Sequence, residues 1–126
     1  MPMTTTITVC DSCKRGGWTP EAPSDGARLA ELIEAAAARL PEGALAVRRH
    51  ACLMGCAGAC NVAIQAPGKM AYTLGRLPPE AQAAEGVVAW AALHGRSRSG
   101  VVDYRLWPEA VRDRFVTRHP PLEASG

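Results

Sequence analysis

Aromatic residues are scarce in this chain, with one Phe, two Tyr and three Trp among 126 residues. Long apolar runs are missing too. No stretch reaches the length a bilayer-spanning helix needs, which excludes a helical membrane protein. The opening residues, MPMTTTITV, hold no basic segment followed by an apolar run, so no secretory signal is expected and the chain reads as cytoplasmic. Neither sign of charge dominates: 14 Lys and Arg stand against 12 Asp and Glu, a net +2. That is too mild for a nucleic-acid binder, which concentrates positive charge. There is no internal repeat and no low-complexity tract. KRGG lacks the Lys-Ser/Thr ending and the strand–helix context of a phosphate-binding loop. No Ser/His/Asp arrangement stands out, so no catalysis by the domain itself is expected.

What the chain does have is cysteine. Cys10 and Cys13 lie in VCDSC, and Cys52, Cys56 and Cys60 lie in ACLMGCAGAC. An odd count of five argues against a pure disulfide framework. In a reducing compartment, clustered cysteines are metal ligands or catalytic thiols more often than structural bridges.

The length suits one domain, residues 1–126, with 95–126 as a peripheral C-terminal extension. Thr4–Val9 reads as a strand from its Thr, Ile and Val content and runs straight into Cys10. CKRGGWTPEAPSDG is a loop by composition. Ser24 or Asp25 can cap a helix over Ala27–Leu40, whose stripe is Leu29, Leu32, Ile33, Ala36 and Leu40 and which Pro41 and Gly43 stop. ALAVRRH is a second strand, delivering the chain to Cys52. NVAIQA and KMAYTLG, joined at Pro67–Gly68, read as a hairpin. Pro78 and Pro79 open a second helix with the stripe Ala84, Val87, Val88 and Ala91, ending at Gly95. HGRSRSG reads as a flexible linker, with a short apolar run in VVDY and a short helix after Pro108. The Arg-rich tail RLWPEAVRDRFVTRHPP is either a solvated surface or a face for an acidic partner. The order β, α, β, β, β, α predicts an α/β sandwich with a small mixed sheet and flanking helices, in the thioredoxin-like layout.

Both cysteine groups follow predicted strands. If those strands are parallel neighbours, the groups emerge at the same edge of the sheet, as a four-ligand metal site requires. Were the second group helical, Cys52 and Cys60 would stand about 12 Å apart at about 1.5 Å rise per residue. The economical ligand set is therefore Cys10 and Cys13 plus one adjacent pair, Cys52 with Cys56 or Cys56 with Cys60, leaving one cysteine over. Lys14, Arg15, Arg48 and Arg49 flank the groups. They are either ordinary surface charges or cations that favour thiolate. His50, two residues before Cys52, reads as a surface or supporting residue beside five thiols, although imidazole replaces thiolate in some iron–sulfur centres. His94 reads as a helix-end residue and His119 as solvated. Trp90 and Trp107 read as packing residues, and Trp18, in the loop after Cys13, as either packing or a shield for a cluster.

The stretch CLMGCAGACNVAIQAPGKMAYTLG resembles the second cysteine loop of thioredoxin-like [2Fe–2S] ferredoxins. The whole chain, over roughly residues 7 to 121, is similar to a group of uncharacterised bacterial proteins described as predicted metal-binding. They share VC-x2-C, C-x3-C-x3-C and a QAPGK…Y…G hairpin. The resemblance implies that Cys10, Cys13, Cys52 and Cys56 hold a [2Fe–2S] cluster, with a redox partner protein, a homodimeric unit and a place in cobalamin or cobalt metabolism. Two departures stand out: Cys10 and Cys13 are closer together than the first pair in those ferredoxins, and Cys60 stands where that family usually has proline. Cys60 is thus an alternative metal ligand or a thiol beside the cluster.

Three functions follow. A [2Fe–2S] electron carrier uses four thiolates. A structural or regulatory zinc site also uses four, but usually from two C-x2-C knuckles, and only the first group has that spacing. A thiol–disulfide oxidoreductase would use CDSC, whose reactive thiol normally opens a helix. Here Gly16, Gly17 and Pro20 follow instead.

Overall fold

The computed structural model describes residues 4–12, 23–41, 43–51 and 60–121. Strand β1 (Thr5–Cys10) leads through helix α1 (Asp25–Ala37) to strand β2 (Leu45–His50). Strands β3 (Val62–Gln65) and β4 (Ala71–Leu74) follow, then helix α2 (Ala81–Arg96) and strand β5 (Phe115–His119). The described strands form one mixed sheet in the order β2-β1-β3-β4-β5. β1 and β2 are parallel, while β1–β3, β3–β4 and β4–β5 are antiparallel. This is a small thioredoxin-like α/β fold, as the element order predicts.

Alternation along β1 assigns its two faces. Thr5, Ile7 and Val9 lie on one, and Thr6, Thr8 and Cys10 on the other. The Thr5 hydroxyl bonds to His94 of α2, and Arg49, in register with Val9, bonds to Glu34 of α1. Both helices therefore cover the Ile7–Val9 face. There Ile7, Val9, Ile33, Ile64, Leu74 and Val87 are fully buried. Each such side chain contributes about 1.5–3 kcal/mol relative to exposure.

α1 begins two residues before the expected Ala27 and ends three before Leu40. Pro41 disfavours helical geometry at the residue before it, so the chain leaves the helix early. Ser24 is the cap: its Oγ accepts the Ala27 N–H at 3.0 Å and donates to the Asp11 carbonyl. The same hydroxyl satisfies the helix start and ties it to the end of β1. Replacement Ser24→Ala is expected to cost about 1 kcal/mol, read as a lowered urea midpoint with an unchanged m-value.

α2 starts at Ala81, after both prolines, and runs through Gly95 to Arg96. All four expected stripe residues are buried, with Trp90 and His94 beside them. Gly86 lets the turn at Glu109–Val111 come close, since a Cβ there would lie 3.1 Å from Ala110 Cβ.

The segment after α2 is not a free linker. Met70 N–H donates to the Ser99 carbonyl at 2.8 Å, Ser97 Oγ to the Val101 carbonyl at 2.7 Å, and Lys69 Nζ to the Gly95 carbonyl at 2.8 Å. Past it, Trp107 and Phe115 stack with centroids 4.2 Å apart and flank Trp90. β5 then closes the sheet beside β4. No strand is predicted there because the two apolar residues of FVTRH, Phe115 and Val116, are adjacent and give no period-two pattern. An edge strand exposed along most of its length needs no apolar face. The helix expected after Pro108 is a single 3-10 turn, Glu109–Val111.

Candidate functional site

The parallel register of β1 and β2 puts Cys10 beside His50. Past the strand ends the pairing continues, as Asp11 N–H donates to the His50 carbonyl at 3.0 Å and Ser12 Oγ to the Ala51 carbonyl. On the other flank of β1, Cys10 N–H donates to the Asn61 carbonyl at 3.1 Å, which places Cys60 at the same end of the sheet. Cys60 is held there by its carbonyl, which accepts Leu77 N–H at 3.2 Å. Residues 10–12, 50–51 and 60–61 thus meet at one point, and Ser24 brings the N-terminus of α1 to it.

Cys10 and Cys60 are both buried. Ser12 Oγ lies 3.8 Å from Cys10 Sγ. Cys13, Cys52 and Cys56 lie outside the described residues, as do Lys14, Arg15 and Trp18. Cys13 follows Ser12 in sequence and Cys52 follows Ala51, the two residues joined by the Ser12–Ala51 hydrogen bond. Among the described residues alone, no three His, Cys, Asp or Glu side chains gather as a metal site.

The electrostatics divide the flanking arginines. Arg48 shares the Cys10 face and donates from Nε to Thr8 Oγ1 at 2.7 Å. Arg49 points to the other face, where it grips Glu34 with bonds of 3.1 and 2.7 Å. That guanidinium holds the Glu34 carboxyl below its usual value. Arg49 is therefore neutralised away from Cys10. The N-terminus of α1, tied through Ser24 to the Asp11 carbonyl, carries the buried Asp25 carboxylate, which is paired with Arg28.

His94 does more than its place near a helix end suggests. It is fully buried. Its Nε2 lies 2.7 Å from the Met70 carbonyl and its Nδ1 2.9 Å from Thr5 Oγ1. A carbonyl only accepts, so Nε2 carries the proton and Nδ1 accepts from Thr5. Burial, with Lys69 nearby, pushes the His94 pKa below its ordinary 6.5. The unfolded chain then takes up a proton that the fold excludes. Stability from this group is full above 6.5 and declines as pH falls below it. Urea unfolding of the native chain should show that decline, and His94→Gln should flatten it while lowering stability at neutral pH. No local sequence signal marks this histidine, because its partners lie in β1 and just before β4.

The fold and the converging strand ends define a small thioredoxin-like α/β protein with cysteines at the end of the sheet where its parallel pair, β1 and β2, terminates. The chain belongs to the family described as a protein of unknown function, DUF1636, whose family model matches residues 7–121. No curated protein and no solved structure matches it. Among the described residues, no helix is long and apolar enough to cross a membrane.

Proposed function

We propose that this protein is a [2Fe–2S] ferredoxin-like electron carrier, its cluster held by Cys10, Cys13, Cys52 and Cys56. The observation that supports this most is the meeting of Cys10 with Ser12, Ala51 and Cys60 at one sheet end. Two cysteine groups some forty residues apart in sequence start from the same place, which suits a four-thiolate centre. When bound, the cluster supplies one-electron transfer. The chain's own contribution is the Arg48 side chain on the Cys10 face and the anchoring of both strand ends. Cys60, buried at the same sheet end as Cys10, is the thiol that would replace a ligand or lie beside the centre. The role is carriage of electrons to a partner protein rather than catalysis, with cobalamin or cobalt metabolism as the process suggested by the family resemblance.

The same thiolates fit zinc. Anaerobic purification followed by visible absorption and metal analysis on one sample separates the two metals. About two iron and two sulfide per chain, with colour bleached by dithionite, is the expected result. A colourless protein with about one zinc per chain, reproduced after iron-supplemented expression, overturns it in favour of a structural or regulatory zinc site.

A further inference from the structure

Among the described residues, the large apolar side chains left most open to solvent are Val101, Tyr104, Leu106 and Val116, at 44, 56, 60 and 59 % exposure. All four belong to the segment between α2 and the end of β5. Scattered exposed apolar residues need no explanation, but a cluster of them marks an interaction surface. Two of them, Val101 and Val116, join Tyr72, Trp107, Phe115 and Arg118 around an open hollow of about 300 Å³.

The backbone beside the hollow is open as well. β5 ends the sheet order, so one row of its N–H and C=O groups has no strand partner among the described residues. Thr117 pairs with Thr73 but Phe115 pairs with Leu74, which leaves Val116 as the extra residue of a bulge. Bulges re-aim side chains, and this one turns a valine outward over the hollow.

The charge at this edge is positive. Arg118 lines the hollow. Arg112 stands 5.5 Å over the Tyr104 ring and donates from Nε to the Trp107 carbonyl. Neither forms an ion pair among the described residues, whereas Arg105 is paired with Asp103. The carboxylates of Glu109 and Asp113 line a separate hollow with Glu80 and Arg114.

We propose that β5 receives an extended, acidic segment of a partner protein as an added strand. Main-chain bonds to the open edge hold the segment, one apolar side chain fills the hollow beside Val116, and its carboxylates meet Arg112 and Arg118. A second copy of this chain fits less well, because self-pairing sets two arginine-bearing strands side by side without compensating carboxylates. A nucleic acid fits less well too. The hollow is walled by valines, one face of Tyr104 is taken by Arg112, and two cations are few for a phosphate backbone. β5 lies three strands from β1, which carries Cys10, roughly 14 Å at about 4.8 Å per strand, and the proposal does not rest on the electron-carrier reading.

The test uses the full chain and fluorescent peptides in which glutamate alternates with valine or leucine, against counterparts with lysine in place of glutamate. The glutamate peptides are expected to bind about tenfold or more tightly than the lysine ones. Val116→Asp and Arg118→Glu should each weaken that binding about tenfold while leaving the circular dichroism unchanged, since both side chains are exposed. No binding, equal binding of the two peptide sets, or binding untouched by both variants overturns the proposal. So does a concentration-dependent dimer in sedimentation velocity that Val116→Asp dissolves, which would assign the edge to a second copy. Binding of a single-stranded oligonucleotide that outcompetes the peptides and is lost in Arg118→Glu also overturns it.

Discussion

Cys10→Ala should yield a folded chain that retains less than about a tenth of the wild-type iron and has lost its visible absorption. The expectation follows from position. Cys10 is the cysteine that the sheet itself holds: its N–H is bonded to Asn61, its strand neighbour is His50, and the next residue is bonded to the His50 carbonyl. The folding cost of the change is small by comparison, about 1 kcal/mol for the lost sulfur contact, so loss of the centre and loss of the fold are separable by circular dichroism. Iron retained in full by Cys10→Ala would remove Cys10 from the ligand set, and the electron-carrier reading with it. The same assay on Cys13→Ser and Cys60→Ser decides the fourth position. If Cys13→Ser keeps the cluster and Cys60→Ser loses it, Cys60 is the ligand and Cys13 is not.

Gly100→Ala is expected to destabilise the protein by about 2–5 kcal/mol, a large share of a small domain's stability. Gly100 has a φ of +82°, a left-handed conformation costing an L-residue roughly 1–2 kcal/mol. Space is short as well. A Cβ there would lie 2.9 Å from Met70 N, from Lys69 Cβ and from His94 Nε2. Met70 N is backbone and already donates to Ser99, so it cannot withdraw cheaply. His94 is held by Met70 and Thr5. Relief of such overpacking costs about 1–3 kcal/mol more. Chemical denaturation is the measurement, and a change within about 0.5 kcal/mol, as on an ordinary exposed loop, would show that the turn opens freely to admit the methyl group. Arg98→Ala, at an exposed position in the same turn, is the control and should be nearly neutral.

These two positions also show how far the sequence could be read. The strand–helix–strand–hairpin–helix order was legible because each element carries a local signal. β-branched residues mark β1, a 3.6-residue stripe marks α1 and α2, and Pro67–Gly68 marks the hairpin turn. The candidate site was legible to the extent that both cysteine groups follow strands. That Cys10 and the chain beyond His50 share one end required the strands to be parallel neighbours, and the helix between them made that the natural arrangement. Cys60 was harder to place, because its nearness to Cys10 comes from β3 pairing on the other flank of β1.

By itself, then, the sequence determined the α/β class, the two helices, and the pairing of a cysteine with the end of each parallel strand, since these depend on periodicity and on residues near one another in the chain. The tertiary structure alone decided three things. It made β5 a sheet strand, because an exposed edge needs only backbone partners and these lie in β4. It turned Ser97–Gly100 from a linker into a packed turn, because Met70 and Lys69 reach it from the hairpin. And it buried His94, because the groups that satisfy an imidazole, Thr5 and the Met70 carbonyl, are distant in sequence and meet only when the sheet closes against α2.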